Sequence, residues 1–332
     1  MPLVQHNSLP SFERVSLEGI EVRSPDKIDT ALPSVKIGFL NMMPDTAITA
    51  TERQFLRLVG ASSDVNCYFY PFTIKGVDRS EQAQKYIDQF YTSYEKLKTL
   101  SLDAIIITGA NVSQPLIQNE TFWPELVKVL QWAKTNVCSV LCSCLATHAA
   151  VKIFYDIDRQ HLGDKCWGVF EHKVLNSEHA LMRDVEAEMK MCHSRFNDIP
   201  KALFEERNID VLINSEQAGV QLAAEKDNSI IYFQGHPEYD DISLLKEYKR
   251  EVSRYISGEI NDYPPVPLNY FNAQAMECVA QYQSKVEHAG NKRAMLELFP
   301  EEVMREFITN QWKRSASQIF ANWISFVARS CV

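Results

Sequence analysis

Apolar residues in this chain fall into short continuous runs that alternate with segments of helical spacing. The continuous runs, typical of strands buried on both faces, are residues 35–41, 65–70, 104–108, 138–142, 211–214, 220–223 and 230–234. The segments with helical spacing are residues 51–58, 80–99, 123–136, 144–155 and 241–257. This alternation predicts an α/β fold, with a largely parallel central sheet and helices on both faces.

The limits of the alternation give the expected domain organisation. Residues 35–258 carry it and are predicted to form one α/β catalytic domain. Residues 1–34 are polar and interrupted by proline, so we expect an N-terminal arm rather than a core element. Residues 259–332 begin with several prolines and end in an amphipathic stretch, which predicts a C-terminal extension packed on the same domain.

Composition narrows the classes of partner. The chain has 332 residues, of which 45% are hydrophobic, enough to bury a large core. Its 34 basic and 43 acidic residues give a net charge of -9, which argues against nucleic acid as a partner. No apolar stretch approaches the roughly 18 residues of a membrane span, and the N-terminus lacks the pattern of a signal peptide. We therefore expect a cytoplasmic protein that binds neither nucleic acid nor membranes.

The cysteines indicate neither a disulfide scaffold nor a metal site. Eight cysteines are few for a chain of this length, and a reducing compartment is the natural expectation. Cys138, Cys142 and Cys144 are close in sequence, but no second pair with zinc-ligand spacing accompanies them. We therefore predict no bound metal.

Cys144 stands where a buried strand runs directly into a helix. A nucleophile at such a turn needs small neighbours, and Cys142 and Ala146 lie two residues to either side. The amino end of the helix favours a thiolate. The backbone N–H of Leu145, helped by the turn at Ala110, is a candidate oxyanion donor. On this segment alone, a nucleophile and an inert buried cysteine are equally good interpretations.

A histidine and a glutamate follow the strand at 230–234. His236 and Glu238 lie at the carboxyl end of that strand, where open α/β sheets place their ligand sites. Side chains two residues apart in extended backbone face the same side, so Glu238 can orient the imidazole. Alone, the pair favours a capped turn with a solvated histidine. Together with Cys144 it predicts a Cys-His-Glu triad for acyl transfer.

Ordered motifs along the chain resemble one known family. They are Asn41-Met-Met-Pro44, Gln54-Phe-Leu-Arg-Leu58, Thr108-Gly-Ala110, Trp123-Pro124, Cys144-Leu-Ala146, Gly168-Val-Phe-Glu-His172, His193-Ser-Arg195, Gly235-His-Pro-Glu-Tyr-Asp240, Pro267-Leu-Asn-Tyr-Phe271 and Asn322-Trp323. From about residue 35 to the C-terminus the chain resembles the homoserine O-acyltransferases of the trans-succinylase type. The resemblance implies a class I glutamine-amidotransferase-like fold, a homodimer and a role in methionine biosynthesis.

The resemblance also implies roles for the predicted triad. Cys144 would carry the acyl group as a thioester, His236 would be the general base, and Glu238 would orient it. The donor would be an acyl-CoA, either succinyl-CoA or acetyl-CoA, used as a co-substrate with no bound cofactor.

Three further residues are assigned to the amino-acid acceptor by the resemblance: Lys165, Ser194 and Arg250. An arginine can hold a carboxylate with two parallel hydrogen bonds, and a lysine adds positive charge. A serine can hydrogen-bond the amino group or the hydroxyl. Without the resemblance, Arg250 would be interpreted as a solvated residue of a charged helix.

The chain departs from the family pattern near the expected substrate entrance. Residues 45–53 lack the usual lysines, and residues 272–306 also differ, so another hydroxy-amino acid could replace homoserine as acceptor. In the family, glutamate at one position accompanies acetyl-CoA and glycine accompanies succinyl-CoA. Ser113 occupies that position here, and its small neutral side chain favours succinyl over acetyl.

We therefore expect two-step O-acyl transfer through an acyl-cysteine, with ping-pong kinetics. A glutaminase or amide hydrolase using the same triad is an alternative enzyme. A non-catalytic ligand-binding protein of the same fold is the alternative from a different class.

Overall fold

The structure of the protein is a computed structural model that describes residues 2–61 and 64–330. Its strands are β1 (Leu3–Val4), β2 (Val22–Arg23), β3 (Ser34–Met42), β4 (Asn66–Phe72), β5 (Ala104–Ala110), β6 (Ser139–Ser143), β7 (Gln160–Val174), β8 (Glu188–Asp198), β9 (Asp210–Ser215), β10 (Gly219–Ala224) and β11 (Ile230–Phe233). Its helices are α1 (Pro10–Leu17), α2 (Ile48–Val59), α3 (Glu81–Phe90), α4 (Tyr94–Leu97), α5 (Trp123–Asn136), α6 (Leu145–Tyr155), α7 (Lys201–Glu205), α8 (Ser243–Ser257), α9 (Ala273–His288), α10 (Glu301–Arg305) and α11 (Lys313–Ser330).

These strands form one mixed sheet in the order β2-β1-β4-β3-β5-β6-β11-β10-β9-β7-β8. Neighbours from β2 to β11 are parallel, and neighbours from β11 to β8 are antiparallel. The predicted α/β fold with a largely parallel central sheet is therefore confirmed. The antiparallel strands extend that sheet on the side of β11.

Two apolar layers cover the faces of the sheet. Side chains alternate along a strand, so Ile106 of β5 packs in one layer while Ile105 and Ile107 pack in the other. The first layer includes Phe55 of α2 and Phe320 of α11, whose ring centroids are 6.2 Å apart. The second layer includes buried residues of α5 and α6. Helices on both faces explain why the parallel strands read as continuous apolar runs.

Most predicted elements match the structure within a few residues, and α5 matches in full. The predicted helix at 80–99 is wrong, because the chain forms two helices there, α3 and α4. Tyr91 is extended (φ −94°, ψ 149°), and the Ser93 hydroxyl accepts from the N–H of Lys96 to start α4. None of the helices within the described residues is long and apolar enough to cross a membrane.

The strands β7 and β8 are absent from the predicted elements. They pair along most of their length, from Gln160↔Asp198 to Lys173↔Glu188. The first half of β7 is polar and mostly exposed or half-buried, so its apolar run at residues 166–170 is too short to indicate a strand of 15 residues. The pair matters because β7 carries Lys165 and β8 carries Ser194.

Residues 1–34 contribute to the core, so the expectation of an arm outside it is wrong. β1 pairs with both β2 and β4, and Leu3, Val4 and Phe12 are fully buried. The apolar signal was too short to recognise, because β1 has two residues and α1 has eight. The proposed boundaries after residues 34 and 258 remain predictions.

The cysteines differ in chemical state. Cys138 is disulfide-bonded, although the sequence suggested a reducing compartment. The free cysteines of the described residues are Cys67, Cys142, Cys144, Cys166, Cys192 and Cys278. Cys144 is partly exposed, so its thiol is available for chemistry.

The packing of the N-terminal segment predicts a large effect of a single truncation. Phe12→Ala removes a fully buried ring, and we expect it to lower the free energy of unfolding by about 3–5 kcal/mol. The exposed neighbour Glu13 provides the control, because Glu13→Ala should change stability by less than about 0.5 kcal/mol. Urea unfolding measures both values. Equal effects of the two substitutions would contradict the buried placement of α1.

Candidate active site

Cys144 occupies a sharp turn between β6 and α6. Its backbone has φ 52° and ψ −107°, a conformation that costs energy for a residue other than glycine. Two contacts to β11 hold the turn. The N–H of Cys144 donates to the carbonyl of Phe233 at 2.8 Å, and the Thr147 hydroxyl lies 2.7 Å from the same oxygen. The turn therefore fixes the cysteine at the carboxyl end of two neighbouring parallel strands.

The predicted oxyanion donors lie on two adjacent chain segments. Leu145 is the first residue of α6, so its N–H has no partner within the helix. A Cβ built on Gly109 would lie 3.9 Å from the Leu145 nitrogen and 3.8 Å from the Cys144 Cβ. The end of β5, where Ala110 pairs with Met42, is therefore next to the cysteine turn. The oxyanion role of Leu145 and Ala110 stays a prediction.

His236 is buried and held on several sides. Its Nδ1 lies 2.8 Å from the Glu238 Oε1, and its backbone N–H donates to the carbonyl of Cys192 at 2.8 Å. The ring stacks on Tyr239 with centroids 4.2 Å apart. The Cys144 sulfur is close enough to the imidazole for a thiolate there to raise the pKa of His236. The structure therefore brings together the three side chains of the predicted triad, although their catalytic roles stay predictions.

Electrostatics favour a charged imidazole in this site. Burial opposes the charge, but the Glu238 carboxylate and a Cys144 thiolate outweigh it, so the pKa of His236 lies well above its usual value. The imidazolium is therefore the dominant form at neutral pH when the sulfur is a thiolate. A thiolate–imidazolium pair of this kind is the nucleophilic form of a cysteine.

The carboxylate of Glu247, which the sequence did not indicate, contacts two of the predicted acceptor residues. Glu247 Oε2 lies 3.2 Å from the Lys165 Nζ and accepts from the Ser194 hydroxyl at 2.6 Å. Its Oε1 accepts from the Tyr239 hydroxyl at 2.6 Å. Because Tyr239 stacks on His236, this cluster lies directly beside the triad. Lysine, serine and carboxylate together present the charges that a zwitterionic ligand requires.

Arg250 is not part of this cluster. It lies one helical turn after Glu247 on α8, its side chain is 60% exposed, and its Nε is 3.5 Å from the Glu251 Oε1. Such a long, exposed contact contributes little to stability. The structure therefore brings together Lys165 and Ser194 but leaves Arg250 turned toward solvent. Its predicted role in acceptor binding remains untested.

The helical period of α8 could have identified Glu247 from the sequence. Leu244, Tyr248 and Val252 are buried and mark the inner face of that helix. Glu247 is three residues after Leu244 and one before Tyr248, so it borders that face. The charged run Lys-Glu-Tyr-Lys-Arg-Glu concealed this position, because such runs are usually solvated. Tyr239 lies within the motif Gly235–Asp240. Nothing in the sequence indicates that it links His236 to Glu247.

Ser113 lies in an exposed loop after β5. Its N–H donates to the Glu120 Oε1 at 2.7 Å, and its hydroxyl lies 3.3 Å from Oε2 of the same carboxylate. Glu120 itself is only 6% exposed. The loop that follows β5 therefore has a defined shape, while the effect of Ser113 on donor choice stays a prediction.

Metal-ligating side chains do not converge in the described part of the chain. No group of three or more His, Cys, Asp or Glu residues there is arranged to hold a metal ion. The absence of a bound metal remains a prediction of the sequence.

Known proteins resemble this chain along nearly its whole length. The sequence profile of the family described as homoserine O-succinyltransferase matches residues 2–331. A homoserine O-succinyltransferase of Methylobacter tundripaludum is 48% identical over 327 residues, which cover 98% of this chain and 92% of the relative. One of Methylococcus capsulatus is 44% identical with the same coverage. The solved structure of a glutamine amidotransferase from Methylobacillus flagellatus has a TM-score of 0.50 at 14% identity, covering 89% of this chain and 95% of that one, and so shares the fold.

Removing the charge of Glu238 should lower the pKa of His236. In Glu238→Gln the carboxylate no longer favours the imidazolium, so less enzyme carries the thiolate–imidazolium pair at pH 7. We expect alkylation of Cys144 to slow at least about tenfold, which corresponds to roughly one pKa unit. NMR titration of His236 and iodoacetamide kinetics measure the two effects. The exposed Glu259→Gln is the control, and an unchanged titration of His236 in Glu238→Gln would contradict the assignment.

Glu247 should stabilise the fold at neutral pH and lose this effect at acidic pH. Burial raises the pKa of Glu247, but the Lys165 charge and the hydrogen bonds from Ser194 and Tyr239 outweigh it, so this pKa is lowered. Its stabilisation is present above the unfolded value near about 4.3 and disappears as pH falls through the folded value. Glu247→Gln should therefore cost about 3 kcal/mol near pH 7 and progressively less below about pH 4.

Unfolding by urea at several pH values tests this dependence. Glu251→Gln on the same helix is the matched control, since its partners are partly exposed arginines and its effect should stay below about 1 kcal/mol. A cost of Glu247→Gln that is independent of pH would refute the electrostatic explanation.

Proposed function

The chain belongs to the homoserine O-succinyltransferase family and is an acyltransferase, and from this premise we propose that it transfers a succinyl group from coenzyme A to the hydroxyl of homoserine. The family resemblance inferred from the motifs is thereby confirmed. The observation that supports the proposed chemistry is the contact of Cys144, His236 and Glu238 at one edge of the sheet. Succinyl-CoA is a co-substrate in this proposal, and no cofactor stays bound.

The first step forms the acyl-enzyme. The Cys144 thiolate attacks the thioester carbonyl of the donor, and the negative charge that develops on the carbonyl oxygen is stabilised by the N–H of Leu145. The bond between the acyl carbon and the sulfur of coenzyme A then breaks. The His236 imidazolium gives its proton to the departing sulfur, so coenzyme A leaves as the thiol and His236 becomes neutral.

The second step uses the change of charge caused by the first. Acylation removes the thiolate, which is one of the groups that raise the pKa of His236. The neutral imidazole can therefore accept the proton of the acceptor hydroxyl while its oxygen attacks the thioester. Collapse of the intermediate releases the O-acyl product and the Cys144 thiolate, which restores the ion pair. Glu238 keeps the ring in one orientation throughout.

The cluster around Glu247 suits the acceptor amino acid. Its carboxylate can pair with the ammonium group, and Lys165 can pair with the acceptor carboxylate. Arg250 lies one turn further along α8 and could complete a two-pronged contact with the same carboxylate if its exposed side chain turned inward. The Ser194 hydroxyl, 2.6 Å from Glu247 Oε2, lies where it could also contact the substrate.

Two features favour succinyl as the transferred group. The curated relatives are named homoserine O-succinyltransferases, and Ser113 presents a small neutral side chain in the loop beside the cysteine turn. A small side chain leaves room for the longer acyl group. The predicted homodimer and a cytoplasmic location belong to the same proposal.

Intact-protein mass spectrometry tests the proposal directly. Mixing the enzyme with succinyl-CoA should add the mass of one succinyl group, and homoserine should then remove it. Acetyl-CoA should label more slowly, because the donor site is matched to the longer group. The acyl-cysteine should form without acceptor, as ping-pong kinetics require.

Two variants identify the labelled sulfur. Cys144→Ala should abolish labelling and turnover, whereas Cys278→Ala, which changes another partly exposed free cysteine, should leave both intact. Release of ammonia from glutamine with no labelling by either acyl-CoA would instead establish a glutaminase. Labelling of Cys144→Ala would refute the proposed nucleophile.

A further inference from the structure

The loop at Ser113–Pro115 is held from two sides. The buried Glu120 carboxylate accepts from the N–H groups of Ser113 and Gln114, each at 2.7 Å. From the other side, the Arg159 Nη2 donates to the carbonyls of Gln114 at 3.3 Å and Pro115 at 3.2 Å. The loop follows β5, whose Gly109 lies beside Cys144. Arg159 therefore lies at the border of the region that must receive the acyl group.

The guanidinium of Arg159 has unused hydrogen-bonding capacity. It carries five N–H donors, and the two loop contacts are made by Nη2 alone. Its Nε is buried and has no partner among the described residues. Within that same part of the chain, the hydrogen bonds of Arg159 go to backbone carbonyls and not to a carboxylate, and the nearby Glu120 already accepts the N–H groups of the loop. A half-buried arginine in this state is a ready receptor for an anion.

The charge of Arg159 also acts on α6. Together with the larger effects of burial and of Arg195, it lowers the pKa of the buried His148 imidazole in the first half of that helix. Burial lowers the pKa of Arg159 itself, whereas Glu120 and a Cys144 thiolate raise it. An arginine in a protein nevertheless stays protonated. Its charge is thus close enough to the sulfur to interact with it.

We propose that Arg159 recognises the terminal carboxylate of a succinyl group carried by Cys144. The inference rests on the proposed function, and it goes further by naming the residue that distinguishes a dicarboxylic acyl group from a neutral one. The loop carbonyls hold Nη2, and the N–H groups of Nη1, which make no hydrogen bond to the described residues and are not enclosed like Nε, are left for the acyl carboxylate. A neutral acyl group leaves this half-buried charge without its ion pair, which is the basis of strong discrimination.

Ser113 and Arg159 then act in different ways. The small Ser113 side chain leaves space for the two methylene groups, whereas Arg159 supplies the charge that binds the end of the chain. Glu120 keeps the loop in place through its contacts with the N–H groups of Ser113 and Gln114. The choice of acyl donor would therefore depend on the size of the side chain at Ser113 and on the charge of Arg159.

The test compares two acyl donors on the enzyme, one whose acyl group ends in a carboxylate and one whose acyl group is neutral. Rates of acyl-cysteine formation are measured with succinyl-CoA and butyryl-CoA, which share the chain length but differ in the carboxylate. Arg159→Gln should reduce acylation by succinyl-CoA roughly 10- to 100-fold and change acylation by butyryl-CoA less than about threefold. Arg159→Lys should retain an intermediate rate with succinyl-CoA, because the charge remains without the fork geometry.

Arg207→Gln, at an exposed arginine after α7, is the matched control and should change neither rate. Acylation by butyryl-CoA reports that each variant is folded. Equal losses with both donors would overturn the proposal, because Arg159 would then act only by holding the loop carbonyls. An undiminished rate of Arg159→Gln with succinyl-CoA would overturn it as well. Failure of the unmodified enzyme to accept any acyl-CoA would instead refute the proposed function and this inference with it.

Discussion

The parallel pairing of β6 with β11 is the constraint on which the site depends. It places Ser143 opposite Phe233, so the chain leaves both strands at the same level of the sheet. Cys144 follows one strand directly, and His236 follows the other after two residues. The bond from the Cys144 N–H to the Phe233 carbonyl continues the ladder by one step and holds the strained turn. The apolar runs that bury these strands therefore also align the predicted nucleophile with its predicted base.

Charge in the site is organised as two linked groups of side chains. One consists of His236 with Glu238 and Cys144, and the other of Lys165 with Glu247. Tyr239 connects them, since its ring stacks on His236 and its hydroxyl donates to Glu247. Buried charges are tolerated when each has a partner. In the proposed mechanism, acylation neutralises the sulfur, which removes one charge from the first group and prepares the imidazole for the second step.

The sequence predicted the parts of the molecule that have a strong local signal. Continuous apolar runs identified β3 to β6 and β9 to β11, and the turn at Cys144 followed from the small residues around it. Glu247 and Arg159 were not recognised, because a charge in a polar segment is normally solvated and only tertiary contacts bury it. β7 and β8 were missed for a related reason. Exposed positions interrupt the apolar pattern of β7, and polar residues alternate with apolar ones along β8, although the pair carries the two predicted acceptor residues Lys165 and Ser194.

The division of the sheet separates the predicted triad from the predicted acceptor residues. The ends of the parallel strands position Cys144 and His236, and a fold by itself does not fix which acceptor is used. Lys165 and Ser194 come from the antiparallel pair β7 and β8, and they meet Glu247, which comes from α8. If these residues bind the acceptor as proposed, substitutions in β7, β8 and α8 change the acceptor while the register of β6 and β11 keeps the triad intact. The same reasoning applies on the donor side, where exposed loop residues after β5 can vary without disturbing the strand that positions them.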